Sequence, residues 1–223
     1  MFSGYLPLLI PALVGSQFIL TLVLTKGEIC PGQRGRVHKT LPVVLAGWVL
    51  AVISHPIALL PLLTLAFFAF RVKTGKTRDA GPLPVLYAAD ALAALSWLML
   101  LPSLSLPQIG LSFMAVALFG ALLAHLLLTQ ARTRLQAFHR ILPFTGFVSA
   151  ILSVLMMLWL LSGLDEQVLA SVTTEVIAAL ALLVLSLLVW SGHILLTKTV
   201  NRWQLLLASI LLVSSGAMQQ VLF

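Results

Sequence analysis

The chain alternates long apolar runs with short polar gaps, and almost all of its charge sits in the gaps. The runs are continuous and rich in Leu, Val and Ala. They lack the period-two alternation of barrel strands, so they read as helices. About 20 such residues cross a bilayer core. The pattern predicts spans over 5–25, 84–102, 108–130, 141–162, 169–193 and 203–223. The run from Leu41 to Phe70 does not fit one span. As a straight helix it would reach about 45 Å against a core of about 30 Å. Pro56 and Pro61 interrupt it, and proline breaks or kinks a helix. The expected outcome is a tight hairpin of two short helices, 41–55 and 57–70, turning at His55-Pro56. One kinked, strongly tilted helix is the competing reading.

Charge favours the hairpin. The 13 Lys and Arg residues fall in four clusters: Lys26 to Lys39, Arg71 to Arg78, Arg132 to Arg140, and Lys198 with Arg202. Asp165 and Glu166 hold the remaining polar connection on the other side. Short loops rich in Lys and Arg stay in the cytoplasm. A single crossing between Leu41 and Phe70 would put one cluster on the wrong face; two crossings keep all four together. The predicted fold is an all-α polytopic membrane protein of eight transmembrane helices, in a bacterial inner membrane with both termini periplasmic. The first apolar segment lacks a signal peptide's charged start and cleavage site, so it is expected to remain as a span.

Composition agrees. The chain is 61% hydrophobic and 9% charged, with mean hydropathy +1.12, more apolar surface than a soluble domain of this size can hide. The net charge of +7 then reports topology, not nucleic-acid binding. Cys30 is the only cysteine, which excludes an internal disulfide and an iron–sulfur cluster bound by this chain alone. HExxH, GxSxG and P-loop patterns are missing, and no metal site is expected.

Two junctions resemble each other. LVLTK at 22–26 followed by RVHKTLP at 36–42 parallels LLLTQ at 126–130 followed by AFHRILP at 137–143. Each pair closes an apolar helix, crosses a basic loop and opens the next helix with Leu-Pro. The expectation is two parallel four-helix halves, 1–103 and 104–223, within one membrane domain.

Ionisable groups inside a bilayer are costly and mark candidate sites. His55 at the hairpin turn suits proton exchange or hydrogen bonding to a quinone, with Trp48 as a stacking wall and Glu175 as an outer proton acceptor. Asp90 needs a partner or a proton, and Tyr87, three residues away on the same helical face, suggests a proton relay. His125 and His193 lie at equal depth on different helices, as bis-histidine haem ligation requires. His38 and His139 fall in the basic loops and are expected to meet only headgroups or a partner.

Four segments carry a family resemblance: GSQFILTLVL, LAGWVLAVISH, RILPFTGFVSAILSVL and LLVSSGAMQQVLF. Together with the eight-helix layout they resemble the membrane anchor subunit of DMSO reductase-type molybdoenzymes. The resemblance implies that the chain oxidises menaquinol or another quinol. It would pass electrons to an iron–sulfur subunit that feeds a molybdopterin subunit. Only His55 corresponds to the family's quinol-site histidine, across a gap. The outer loop between helices two and three is shortened, and Gly216-Ala217 and Gln219-Gln220 stand where the family has Gly-Glu and Arg. Two other functions remain open: a small proton-coupled transporter or flippase using Asp90 and Glu175, and a b-type cytochrome using His125 and His193.

Overall fold

The computed structural model describes residues 6–73, 80–133 and 136–222. Among the described residues nine α-helices follow in order: α1 Leu6–Lys26, α2 Pro31–His38, α3 Leu41–Ser54, α4 Leu59–Arg71, α5 Leu83–Leu98, α6 Leu106–Gln130, α7 Gln136–Ser162, α8 Glu166–Leu195 and α9 Arg202–Met218. Short 3₁₀ turns occupy Pro56–Ala58, Leu101–Ser103 and Gln219–Leu222. Among the described residues there is no strand. Seven helical segments are long and apolar enough to cross a membrane, with α2 and α3 counted as one, and Pro56–Arg71 is a shorter apolar eighth. The protein is therefore an all-helical, multi-pass integral membrane protein.

The run from Leu41 to Phe70 folds back on itself. The α3 ladder closes with the His55 amide donating to the Ala51 carbonyl at 2.8 Å. His55 itself is extended, with φ −134° and ψ 98°, as a residue before proline prefers. The chain then restarts at Pro56. The decisive contact lies far from the turn: the His38 and Phe68 rings meet edge-on with centroids 5.8 Å apart. In one kinked helix these residues would stand about 45 Å apart, so the competing reading fails.

The four basic clusters share one end of the bundle. The His38–Phe68 contact brings the first cluster to the second. Arg36 donates through Nε to the Ala131 carbonyl at 2.8 Å and through a terminal nitrogen to the Arg132 carbonyl at 3.3 Å, joining the first to the third. Arg132, Arg140 and Lys198 border one cavity, joining the third to the fourth. Lys76, Arg78 and Arg134 lie outside the described residues. At the opposite end, Gln108 Nε2 donates to the Leu222 carbonyl at 2.8 Å, and Gly216 of α9 lies against Leu8 of α1. The start of α1 and the end of α9 thus share a face, as an even number of crossings requires.

The bundle centres on α1 and α6, its two most buried spans. They cross at Gly15 and Gly120 with backbones in direct contact; a Cβ on Gly120 would lie 2.7 Å from the Gly15 carbonyl carbon and 2.9 Å from the Ser16 nitrogen. Small residues allow such an approach, and in lipid close packing replaces the hydrophobic effect as the force between helices. Around this pair, α3 and α5 pack on α1, with α4 against both; α7 and α9 pack on α6, with α8 against both. Large side chains such as Phe70, Phe144 and Leu195 face outward toward lipid.

Two elements differ from expectation. The basic segment before α3 is helical: Pro31 opens α2 at its first turn, and Gly35, Val37 and His38 are buried. The helix α7 starts at Gln136, five residues before the expected 141, so Pro143 lies inside it.

Candidate functional site

Three places in the bundle hold the expected site residues, and they are separate from one another.

The first lies between α1, α3 and α5. Trp48 is fully buried, and its indole Nε1 donates to Gln17 Oε1 at 2.8 Å. Gln17 Nε2 donates in turn to Asp90 Oδ1 at 3.0 Å. The amide fits because it offers an acceptor to the donor-only indole and a donor to the carboxylate. Trp48 is therefore a locked interior group, not the expected stacking wall of a quinone pocket. The expected Tyr87–Asp90 pair does not form either. Tyr87 is half exposed on the outer face of α5, and the partner of Asp90 is Gln17. Gln17 was missed because a lone amide in an apolar helix carries no charge signal.

The second lies near the basic end, between α6, α7 and α8. Trp190 Nε1 donates to His125 Nδ1 at 2.9 Å. The indole can only donate, so His125 Nδ1 carries no proton and the ring keeps its proton on Nε2. That nitrogen is 2.9 Å from His139 Nδ1, so the bond runs from His125 to His139. Trp190 thus fixes the direction of the chain and closes it to proton passage at its inner end. Gly146 leaves the space that the Trp190 ring occupies.

His193 completes the cluster for a reason written in the sequence. Pro143 has no N–H, so it leaves the carbonyl four residues earlier, that of His139, without its helical partner. His193 Nε2 lies 3.1 Å from that carbonyl oxygen, which satisfies it inside the membrane. Its Nδ1 faces the Trp190 carbonyl at 2.9 Å. His139 is therefore half-buried and joins this constellation while also bordering the open basic end, so the headgroup contact expected of it is only part of its role. Its role was hidden because α7 was expected to begin after it.

This geometry does not fit haem. The His125 and His193 rings meet at 5.6 Å in a T-shaped contact, and all four of their nitrogens face protein partners. Ligation would need one nitrogen of each ring to point at a shared iron, whereas the four face His139, Trp190 and two backbone carbonyls. Among the described residues no group of three or more His, Cys, Asp or Glu side chains is arranged to hold a metal ion. The tautomer assignment is testable. In ¹⁵N-histidine-labelled protein, solid-state NMR should find His125 protonated at Nε2 alone. Trp190→Phe should convert it to a mixture of tautomers; an unchanged His125 spectrum would refute the indole's control.

The third place is a groove of about 490 Å³ between α1, α3, α6 and α9. Its lining is apolar except for Ser54 and Ser209. Ser54 is the last residue of α3, and His55 follows it at the broken turn. The His55 ring is half-buried and has no hydrogen-bond partner among the described residues. The 14 residues of α3 rise only about 21 Å, so the turn lies short of a full crossing from the start of α3. None of His55, Trp48 and Glu175 is among the residues that line this groove. Glu175 sits on α8, with Oε2 buried and without a hydrogen-bond partner among the described residues. Its neighbours Val172 and Val176 pack in a small cluster with Leu222.

No solved structure matches the chain significantly. A protein of Haemophilus influenzae strain Rd, described only as uncharacterized, is 33% identical over 166 residues. That alignment covers 69% of this chain and 62% of the relative, so the chain spans less than two thirds of that protein's length. Residues 4–219 match the profile of a family described as an integral membrane domain. With nearly every helix inside that match, the chain belongs to this family of integral membrane domains.

Proposed function

We propose that the protein is the membrane subunit of a respiratory oxidoreductase that oxidises a quinol beside the α3–α4 turn. The observation that carries this reading is the apolar groove lined in part by Ser54, the residue before His55, whose imidazole has no hydrogen-bond partner among the described residues. A menaquinol-type molecule has a long isoprenoid tail and a ring with two hydroxyls. The tail suits the groove, and His55 suits the ring. Oxidation releases two electrons and two protons from the hydroxyls. The neutral imidazole of His55 would accept one such proton and the second would pass to water at the outer surface. The electrons would leave to an iron–sulfur partner subunit and then to a molybdopterin subunit. The basic end would face the cytoplasm of a bacterial inner membrane, and the two four-helix sets around α1 and α6 would be duplicated halves.

The test uses the full chain in nanodiscs and a redox-inert menaquinone analogue. His55→Ala should weaken binding about tenfold, the equivalent of one hydrogen bond. Ala12→Phe, which fills the groove, should weaken it as well. Binding unaffected by both substitutions would count against the reading.

A second reading is a proton-coupled carrier, favoured by Asp90, whose carboxylate is held by a neutral amide with no cation beside it. Under that reading Asp90→Asn should abolish pH-driven flux in proteoliposomes and leave analogue binding intact.

A further inference from the structure

Two adjoining cavities open at the basic end, of about 570 and 820 Å³. They share Thr129, His193 and Lys198. Arg132, Arg140 and Lys198 border the smaller one, and Arg202 borders the larger. Among the described residues no acidic side chain lines either cavity. The helix dipoles do not set the sign here. The negative ends of α6 and α8 meet the positive ends of α7 and α9, so side-chain charge decides.

One further observation points to a ligand: α6 and α8 end in the same way. The Thr133 amide reaches back to the Leu128 carbonyl at 3.2 Å, and the Lys198 amide to the His193 carbonyl at 2.9 Å. Each closure forces a left-handed residue that is not glycine: Arg132 at φ 50° and Thr197 at φ 52°. Both border the smaller cavity. Among the described residues these are the only non-glycine positions with positive φ. Strain of this kind gathers where a site must be shaped. Arg36 clamps one of the two closures through the Ala131 and Arg132 carbonyls.

We infer that this cavity binds a phosphate group, with Arg140 and Lys198 as its charged ligands and Arg132 at its rim. Guanidinium groups match phosphate oxygens in geometry, and the ammonium adds a point charge. The group comes either from an anionic lipid headgroup at the membrane surface or from a free phosphate in solution. The site is separate from the quinol groove and does not depend on that reading.

The experiment has two arms on the full chain. In the first, native mass spectrometry compares retention of phosphatidylglycerol with that of phosphatidylcholine. In the second, inorganic phosphate is titrated against the chain in neutral-lipid nanodiscs, with thermal stability as the readout. Selective phosphatidylglycerol retention assigns a lipid headgroup; phosphate-dependent stabilisation assigns a soluble ligand. In either case Arg140→Gln with Lys198→Gln should reduce binding at least tenfold. Lys26→Gln with Arg71→Gln removes the same charge from the same end outside the cavity and should leave binding unchanged. The inference is overturned if neither arm detects binding, if binding survives the cavity substitutions, or if both double variants lose it equally. Thermal melts without ligand establish that each variant is folded.

Discussion

Gly120→Ala is expected to destabilise the protein by about 3 kcal/mol, the upper part of the usual range for overpacking. The added methyl would meet the backbone of Gly15 and Ser16. Backbone cannot rotate aside as a side chain can, so α1 and α6 must separate. That pair is the centre of the bundle, and in lipid nothing but packing and hydrogen bonds holds it. Thermal or denaturant unfolding in detergent measures the effect. Gly163→Ala is the control, because a Cβ at Gly163 meets nothing closer than the Leu160 carbonyl at 3.6 Å. Equal stability of the two variants would show that the crossing is looser than described.

Gln17→Leu should cost about 2–4 kcal/mol, since it strands two polar groups at once. The Trp48 N–H loses its acceptor in a fully buried position, and Asp90 loses the donor to its carboxylate. The double variant Gln17→Leu with Trp48→Phe should recover part of that loss, because the second change removes the stranded donor. Coupling between neighbouring sites is read from this double-mutant cycle. Strict additivity would mean that the indole and the amide do not share a bond.

What the residues disclosed in advance follows from how local each signal was. The hairpin was legible because two constraints agreed: an apolar run too long for one crossing, and a basic cluster at each end of it. The short helix α2 was not, because PGQRGRVH carries no apolar stripe and only Pro31 marks its start. His125 and His193 were visible as buried ionisable groups, with haem ligation as one alternative for the pair. Equal depth suggested a shared iron, whereas the cluster is assembled by Trp190 and by the carbonyl that Pro143 leaves unpaired. That link joins residues 54 positions apart, and no local pattern reports it. Asp90 was likewise visible, but its true partner lies 73 positions away on another helix, while the nearer Tyr87 faces lipid.

The fold-back at His55-Pro56 supports everything else, since it sets the even crossing number, gathers the basic clusters and exposes the imidazole beside the groove. Spin labels at His38→Cys and Phe68→Cys, in a Cys30→Ser background in nanodiscs, measure it by electron–electron distance. The hairpin predicts strong coupling at the shortest range the labels allow. A separation of about 45 Å, the length of an unbroken helix between the two positions, would contradict it.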